Sequence, residues 1–164
     1  MKFVLIVLLI SICVLIGGKF YFKYKKRLLF FEALVYLCQK FDVEIAFSRQ
    51  RVQNIISSLD EKLKNNLCGL DKNFLNCISS ENLIEKENLF FDINFLTDDE
   101  KNTIFLFFKS LGRSDMENQL KEIKNFENKF TAFQTQSNSD YKKYGKLSVK
   151  MSIIASLMIV VIFL

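Results

Sequence analysis

The 164 residues carry a net charge of +5, are 50% hydrophobic and 25% charged, and fit one domain of ordinary size. With no histidine and no tryptophan, a histidine-based metal site and a histidine general base are excluded. No proline, five glycines and eighteen phenylalanines leave few helix breakers and ample bulk for a core, so an all-α fold is expected.

Phe3 to Gly18 reads FVLIVLLISICVLIGG, sixteen uncharged residues preceded only by Lys2 and the initial Met1. A membrane span needs about 20 residues, so this one recruits Phe20, Tyr21 and Phe22 as interfacial rings while Lys19 snorkels. A cleaved signal peptide has similar anatomy. Bulky Lys19, Phe20 and Tyr21 follow Gly17 and Gly18, however, and Cys13 follows Ile12 instead of the small residue of a lipoprotein site. An uncleaved anchor over 1–24 is the expectation.

Leu28 to Phe47 follows as a helix apolar around most of its circumference, central in a bundle or emerging directly from the membrane. Asp42 and Glu44 do not share its face and form no carboxylate pair for acid–base work. Ser48 to Leu67 places Val52, Ile55, Ile56, Leu59 and Leu63 at helical spacing and predicts one amphipathic helix, ended by Asn65, Asn66 and Gly69. A short helix is expected after Asp71, with Phe74, Leu75, Cys77 and Ile78 inward. Ser79 to Phe95 has no clean period and reads as short helix and loop.

Thr97-Asp98-Asp99-Glu100 is a capping box opening a helix with Ile104, Phe105, Phe107, Phe108 and Leu111 apolar, and Gly112 stands where a helix C-cap wants glycine. Ser114-Asp115-Met116-Glu117 reads as a second capping box. It opens a helix whose stripe of Met116, Leu120, Ile123, Phe126, Phe130 and Phe133 spans about five turns. TQSNSD, near Gln134 to Ser139, is a plausible hinge; without one, Asp115 to Lys146 would be a helical stalk of roughly 48 Å.

Leu147 to Leu164 reads LSVKMSIIASLMIVVIFL with Lys150 as its single charge, a second expected span. YKKYGK before it does not resemble the spacer of a lipid-anchor signal, and burying two all-round apolar helices in a soluble domain of this size is the less simple alternative. Lys19, Lys23, Lys25, Lys26 and Arg27 follow the first span, and Lys142, Lys143, Lys146 and Lys150 accompany the second. Both clusters flank the intervening segment, which is therefore expected to be cytoplasmic.

With Lys2 these are ten of the twenty-three basic residues, so thirteen remain between Leu28 and Tyr141 against all eighteen acids, a net −5. The overall basicity belongs to the membrane seam, and no nucleic-acid partner is expected. Cys13, Cys38, Cys68 and Cys77 form no CxxC and are read as reduced. There is no phosphate-binding glycine loop, nucleophile elbow or metal-spaced carboxylate cluster, so no enzyme, no cofactor and no metal are expected.

One string carries a resemblance: Phe108-Lys109-Ser110-Leu111-Gly112-Arg113-Ser114-Asp115-Met116-Glu117-Asn118-Gln119. Leu111, Gly112, Asp115 and Gln119 match the pattern of the stage III sporulation protein AB family of endospore-forming bacteria, in which a helix ending in Leu-Gly is followed closely by an Asp and then a Gln opening the long C-terminal helix. The chain length, both terminal spans and Asp42-Val43-Glu44-Ile45 agree as well, so the chain resembles that family over nearly its whole length. One departure is the absence of proline after the first span.

The resemblance implies a protein of the mother-cell membrane around the forespore, within a secretion-like channel assembly. Its body is implied to look like the helical domain of the type II secretion inner-membrane platform protein, and its partners to be the mother-cell ATPase and other channel membrane proteins. Leu111 and Gly112 are explained by the turn, and Asp115 by helix capping, at least as well as by docking. Gln119 is the better candidate for a partner contact or an interhelix hydrogen bond, and Arg113, Asp115 and Gln119 are the interface candidates.

The expected architecture is thus an all-α protein: an anchor over 1–24, a cytoplasmic bundle of about six helices over 25–141, and a transmembrane helix over 142–164. The expected role is a noncatalytic membrane platform that contacts the lipid bilayer and is compatible with homo-oligomerisation. A membrane-permeabilising holin-like protein and a membrane-tethered adaptor are the alternatives.

Overall fold

Without proline nothing interrupts the first helix, and α1 runs unbroken over Lys2–Ser48. The computed structural model describes residues 2–48, 52–69, 74–75 and 96–163, and every regular element among them is helical. After α1 come α2 (Val52–Ser57), α3 (Glu61–Leu67), α4 (Asp98–Ser110), α5 (Met116–Asp140), a π-helical turn over Tyr141–Gly145, and α6 (Lys146–Phe163). Cys77, Ile78 and the segment Ser79 to Phe95 lie outside the described residues.

The single helix expected over Ser48 to Leu67 is instead two. Ser57 Oγ donates to Asn54 O at 2.8 Å and Ser58 Oγ to Ile55 O at 2.9 Å, and Asp60 then opens α3 from extended backbone. Serine side chains offer the backbone an alternative to the helical ladder, which is why a good apolar period did not keep the helix whole. The amine of Lys40 donates to Ser58 O at 2.9 Å and that of Lys64 to Ser57 O at 2.8 Å, satisfying carbonyls freed at the break.

The hinge expected at TQSNSD is also absent. α5 runs through the patch unbroken, with Thr135 Oγ1 folded back onto Thr131 O at 2.9 Å. The irregularity falls later, where the N–H of Lys146 reaches Tyr141 O, five residues back.

Two compact units make up the chain: Leu29–Thr135, and Met1–Leu28 with Gln136–Leu164. The first holds the core. α1 contributes Phe30, Phe31, Leu34, Leu37, Cys38, Phe41 and Ile45, a face too wide for a simple amphipathic stripe and suited to a helix surrounded by neighbours. Phe107 of α4 meets the rings of Phe41, Phe108, Phe126 and Phe130 at centroid distances of 4.9 to 6.0 Å, mostly edge to face. Phe74 bridges Phe30 and Phe108, and Phe31 meets Phe133 of α5. The α5 stripe is buried as its period predicts at Ile123 and Phe130, whereas Met116 at its start is exposed.

Candidate functional site

Two places combine special local geometry with exposed surface. The first lies within the terminal unit. α1 and the α5–α6 path each contain a window long and apolar enough to cross a membrane, and within those windows only 6% of residues are buried by protein. Their apolar side chains, such as Val7, Leu15, Ile153 and Val161, point outward.

The helices pair antiparallel through small residues. Gly17 is buried against Ser148 and Ser152, and a Cβ at Gly17 would stand 2.5 Å from Ser152 Oγ. Ser148 Oγ lies 3.3 Å from Gly17 O and 2.8 Å from Gly145 O, shared between the facing helix and its own. Gly145 is buried beside Tyr24 and Tyr141, and Ser156 continues the seam. Small residues let backbones approach where lipid supplies no hydrophobic drive. Ser148, Ser152 and Ser156 recur every four residues, a small-xxx-small signal legible in the sequence but hidden there by the count of apolar neighbours.

Above the small residues the seam turns aromatic, then ionic. Tyr21 Oη and Tyr141 Oη share a hydrogen bond of 2.7 Å, and the rings of Tyr24 and Tyr144 stack at 6.0 Å. Arg27 Nη1 then donates to Asp140 Oδ2 at 2.8 Å, both side chains largely enclosed. Sequence reading placed Arg27 among the collar of cations; its partner emerged only from the pairing.

The second place is the turn before α5. Leu111 at φ −60°, ψ 127° and Gly112 at φ +77°, closed by Arg113 N–H to Ser110 O at 3.3 Å, form a type II turn. Gly112 is required here for its backbone conformation alone, since a Cβ there would meet nothing within 4 Å. The capping box at Thr97 forms as expected: Thr97 N–H donates to Glu100 Oε2 at 2.8 Å and Glu100 N–H to Thr97 Oγ1 at 3.3 Å.

The expected box at Ser114 does not form. Asp115 caps α5 instead, accepting from Asn118 Nδ2 at 2.6 Å and from Asn118 N–H at 3.5 Å, while Ser114 Oγ has no partner among the described residues. A carboxylate one residue later suits the unpaired N–H groups and the helix dipole better than a hydroxyl. The Asn118 amide holds the Asp115 carboxyl below the ordinary aspartate range. Arg113 and Asp115 are exposed, whereas Gln119 keeps only 8% exposure and its N–H closes the first turn on Asp115 O.

Between α1 and α5, Gln39 Nε2 and Lys124 Nζ both donate to the Glu127 carboxylate, at 3.0 and 2.7 Å, and Lys124, then Gln39, hold its pKa down. Burial drives the Cys38 thiol far above its usual range, with Glu127 adding to the shift. Among the described residues no three Cys, Asp or Glu side chains are grouped to hold a metal ion.

A family model described as stage III sporulation protein AB matches residues 2–164. No curated protein and no solved structure matches the chain.

Proposed function

The chain belongs to the stage III sporulation protein AB family, and from that premise we propose that it is a two-span membrane platform of a sporulation assembly, with its helical body on the cytoplasmic side. The observation that carries the reading is the register of the terminal helices: Gly17 on Ser148 and Ser152, Tyr21 on Tyr141, Arg27 on Asp140. Small residues, then phenols, then an ion pair is the order in which a helix hairpin passes from hydrocarbon through the interface to water.

Orientation follows from the lysines flanking both helices, because cytoplasmic flanks carry the positive excess. The body then offers a net negative, noncatalytic surface for docking. Its partner on this reading is the mother-cell ATPase, with channel membrane proteins beside the spans. The exposed Arg113 and Asp115 stand at the turn before α5, and the buried Gln119 closes the first turn of that helix through its N–H on Asp115 O.

A tag at Arg113 tests the topology in cells. It is expected to react with an impermeant reagent only after the membrane is opened, and reaction in intact cells overturns the orientation. Arg113→Glu, at an exposed position, is expected to weaken co-purification of the ATPase at least tenfold with helicity unchanged. Undiminished co-purification removes the turn from the interface.

A further inference from the structure

Before the π-helical turn Ser137 is buried, and Asp140 and Tyr141 reach Arg27 and Tyr21 of α1. A helix paired lengthwise with another brings residues to the seam at alternating steps of four and three. Carried on from Ser137 and Tyr141, that alternation brings Tyr144, Ser148, Met151, Ala155 and Met158 to α1. The structure does otherwise. Tyr144, whose ring still reaches Tyr24, is exposed, and so are Met151, Ala155 and Met158. The residue after each is the enclosed one: Gly145 and Ser156 are buried, Ser152 and Ile159 half-buried. Ser148 and Val149 are both half-buried.

This displacement by one residue is what the turn supplies. Lys146 N–H bonds Tyr141 O, five positions back instead of four, so the ring holds one residue that an α-helical turn does not. Each residue of an α-helix advances about 100° around the axis, and whatever follows an extra one is turned back by about that angle. α1 is helical without a break from Lys2 to Ser48, so the adjustment is made on the return path alone. A Cβ on Gly145 would stand 3.0 Å from Tyr141 Cδ2 and 3.4 Å from Tyr24 Cβ, and the new phase therefore begins on a residue without a side chain.

We infer that the π-helical turn over Tyr141–Gly145 is a register adapter: its one extra residue turns α6 so that Gly145, Ser152 and Ser156 face α1, while Asp140 and Tyr141 keep Arg27 and Tyr21. Without it Met151 and Met158 would fill the seam and hold the helices too far apart for Ser152 to meet Gly17. The pairing of these helices is the one on which the two-span reading stands; the extra residue is a separate property of it.

The test removes residues from the turn of the full chain. Lys142 is exposed, and its deletion leaves Lys146 N–H four positions from Tyr141 O, the α-helical spacing. That chain is expected to keep α6 in its native phase. Deleting Lys142 and Lys143 together takes out one residue more than the turn can release, and is expected to rotate α6 by about 100°. Spin labels on Leu15→Cys and Ile154→Cys, both exposed positions, report the phase as a dipolar distance in detergent micelles, with the four native cysteines replaced by alanine.

Helices about 8–10 Å apart with labels on their outer sides should give roughly 20–30 Å in the native phase. The single deletion should stay within about 2 Å of the native value, and the double deletion should move it by up to about 8 Å on a helix about 10–12 Å across. A single deletion that moves the labels as far as the double one overturns the adapter, as does a double deletion that leaves them in place. Deletion of Lys143 alone repeats the single test with the same expectation, and loss of helicity by circular dichroism in both single-deletion chains also overturns it. A native distance beyond about 40 Å overturns the pairing itself, and the two-span reading with it, whereas a native distance in range beside a displaced single deletion overturns the adapter alone.

Discussion

Arg27 and Asp140 are 113 positions apart in the chain and meet at 2.8 Å, each side chain no more than 20% exposed. Their contact lies in line with Gly17 against Ser152 and Tyr21 against Tyr141, so one register accounts for three different chemistries. Removing one partner of a pair so enclosed leaves a charge with little water, which costs more than breaking an exposed ion pair.

Arg27→Ala and Asp140→Ala are each expected to destabilise the chain in detergent micelles by about 2 kcal/mol, between the ranges for exposed and fully buried pairs. The exchange Arg27→Asp with Asp140→Arg should recover part of that loss. Denaturant titration of the four variants as a double-mutant cycle gives the coupling, and strictly additive losses would dissolve the pair as a register lock.

Gly17→Ala places a methyl 2.5 Å from Ser152 Oγ and 3.1 Å from Ser148 O, so the helices must separate. A loss of about 1–3 kcal/mol is expected, with partial rescue by Ser152→Gly. Gly18, where a Cβ meets nothing within 4 Å, is the matched control, and Gly18→Ala should be nearly silent. Disulfide trapping of cysteines placed across the seam reads the separation directly; equal trapping in both alanine variants would argue against this packing.

Gly112→Ala has room for its methyl but not for the backbone, because φ stays at +77°. The expected cost is about 1–2 kcal/mol, and less for Gly112→Asn, since asparagine tolerates the left-handed region. Thermal denaturation of the full chain distinguishes the two, and an alanine variant as stable as native would mean the turn has changed type.

The Glu127 carboxylate is held below its ordinary pKa by Lys124 and Gln39, so the unfolded chain takes up its proton first as pH falls. Its contribution to stability is complete above the unfolded value, near 4.5, and is lost as pH falls from there through the lower folded value. Glu127→Gln should flatten that acid limb while leaving stability above pH 6 lowered but level. Denaturant midpoints between pH 3 and 7 measure it, and an acid limb of unchanged steepness in the variant assigns the limb to other carboxylates.

What could be read in advance follows from the range of the interaction involved. Thr97 and Glu100 found each other because a capping box is closed within four residues. Ser57 and Ser58 misled because a local side-chain bond competes with helix continuation, and apolar spacing does not report that competition. Ser114 lost the cap to its neighbour Asp115 for an electrostatic reason present in the sequence, where a hydroxyl and a carboxylate stood side by side.

The sequence by itself determined an all-helical chain, two apolar helices at its ends, a basic flank on each, and the glycine at position 112. These depend on composition, periodicity and single-residue backbone preference, which act within a few turns. Only the tertiary structure decided that Gly17 faces Ser148 and Ser152, that Asp140 takes Arg27, and that Gln119 turns inward while Arg113 stays out. Those choices rest on which surfaces of distant helices can approach closely without clash or stranded charge, a condition fixed when the helices pack.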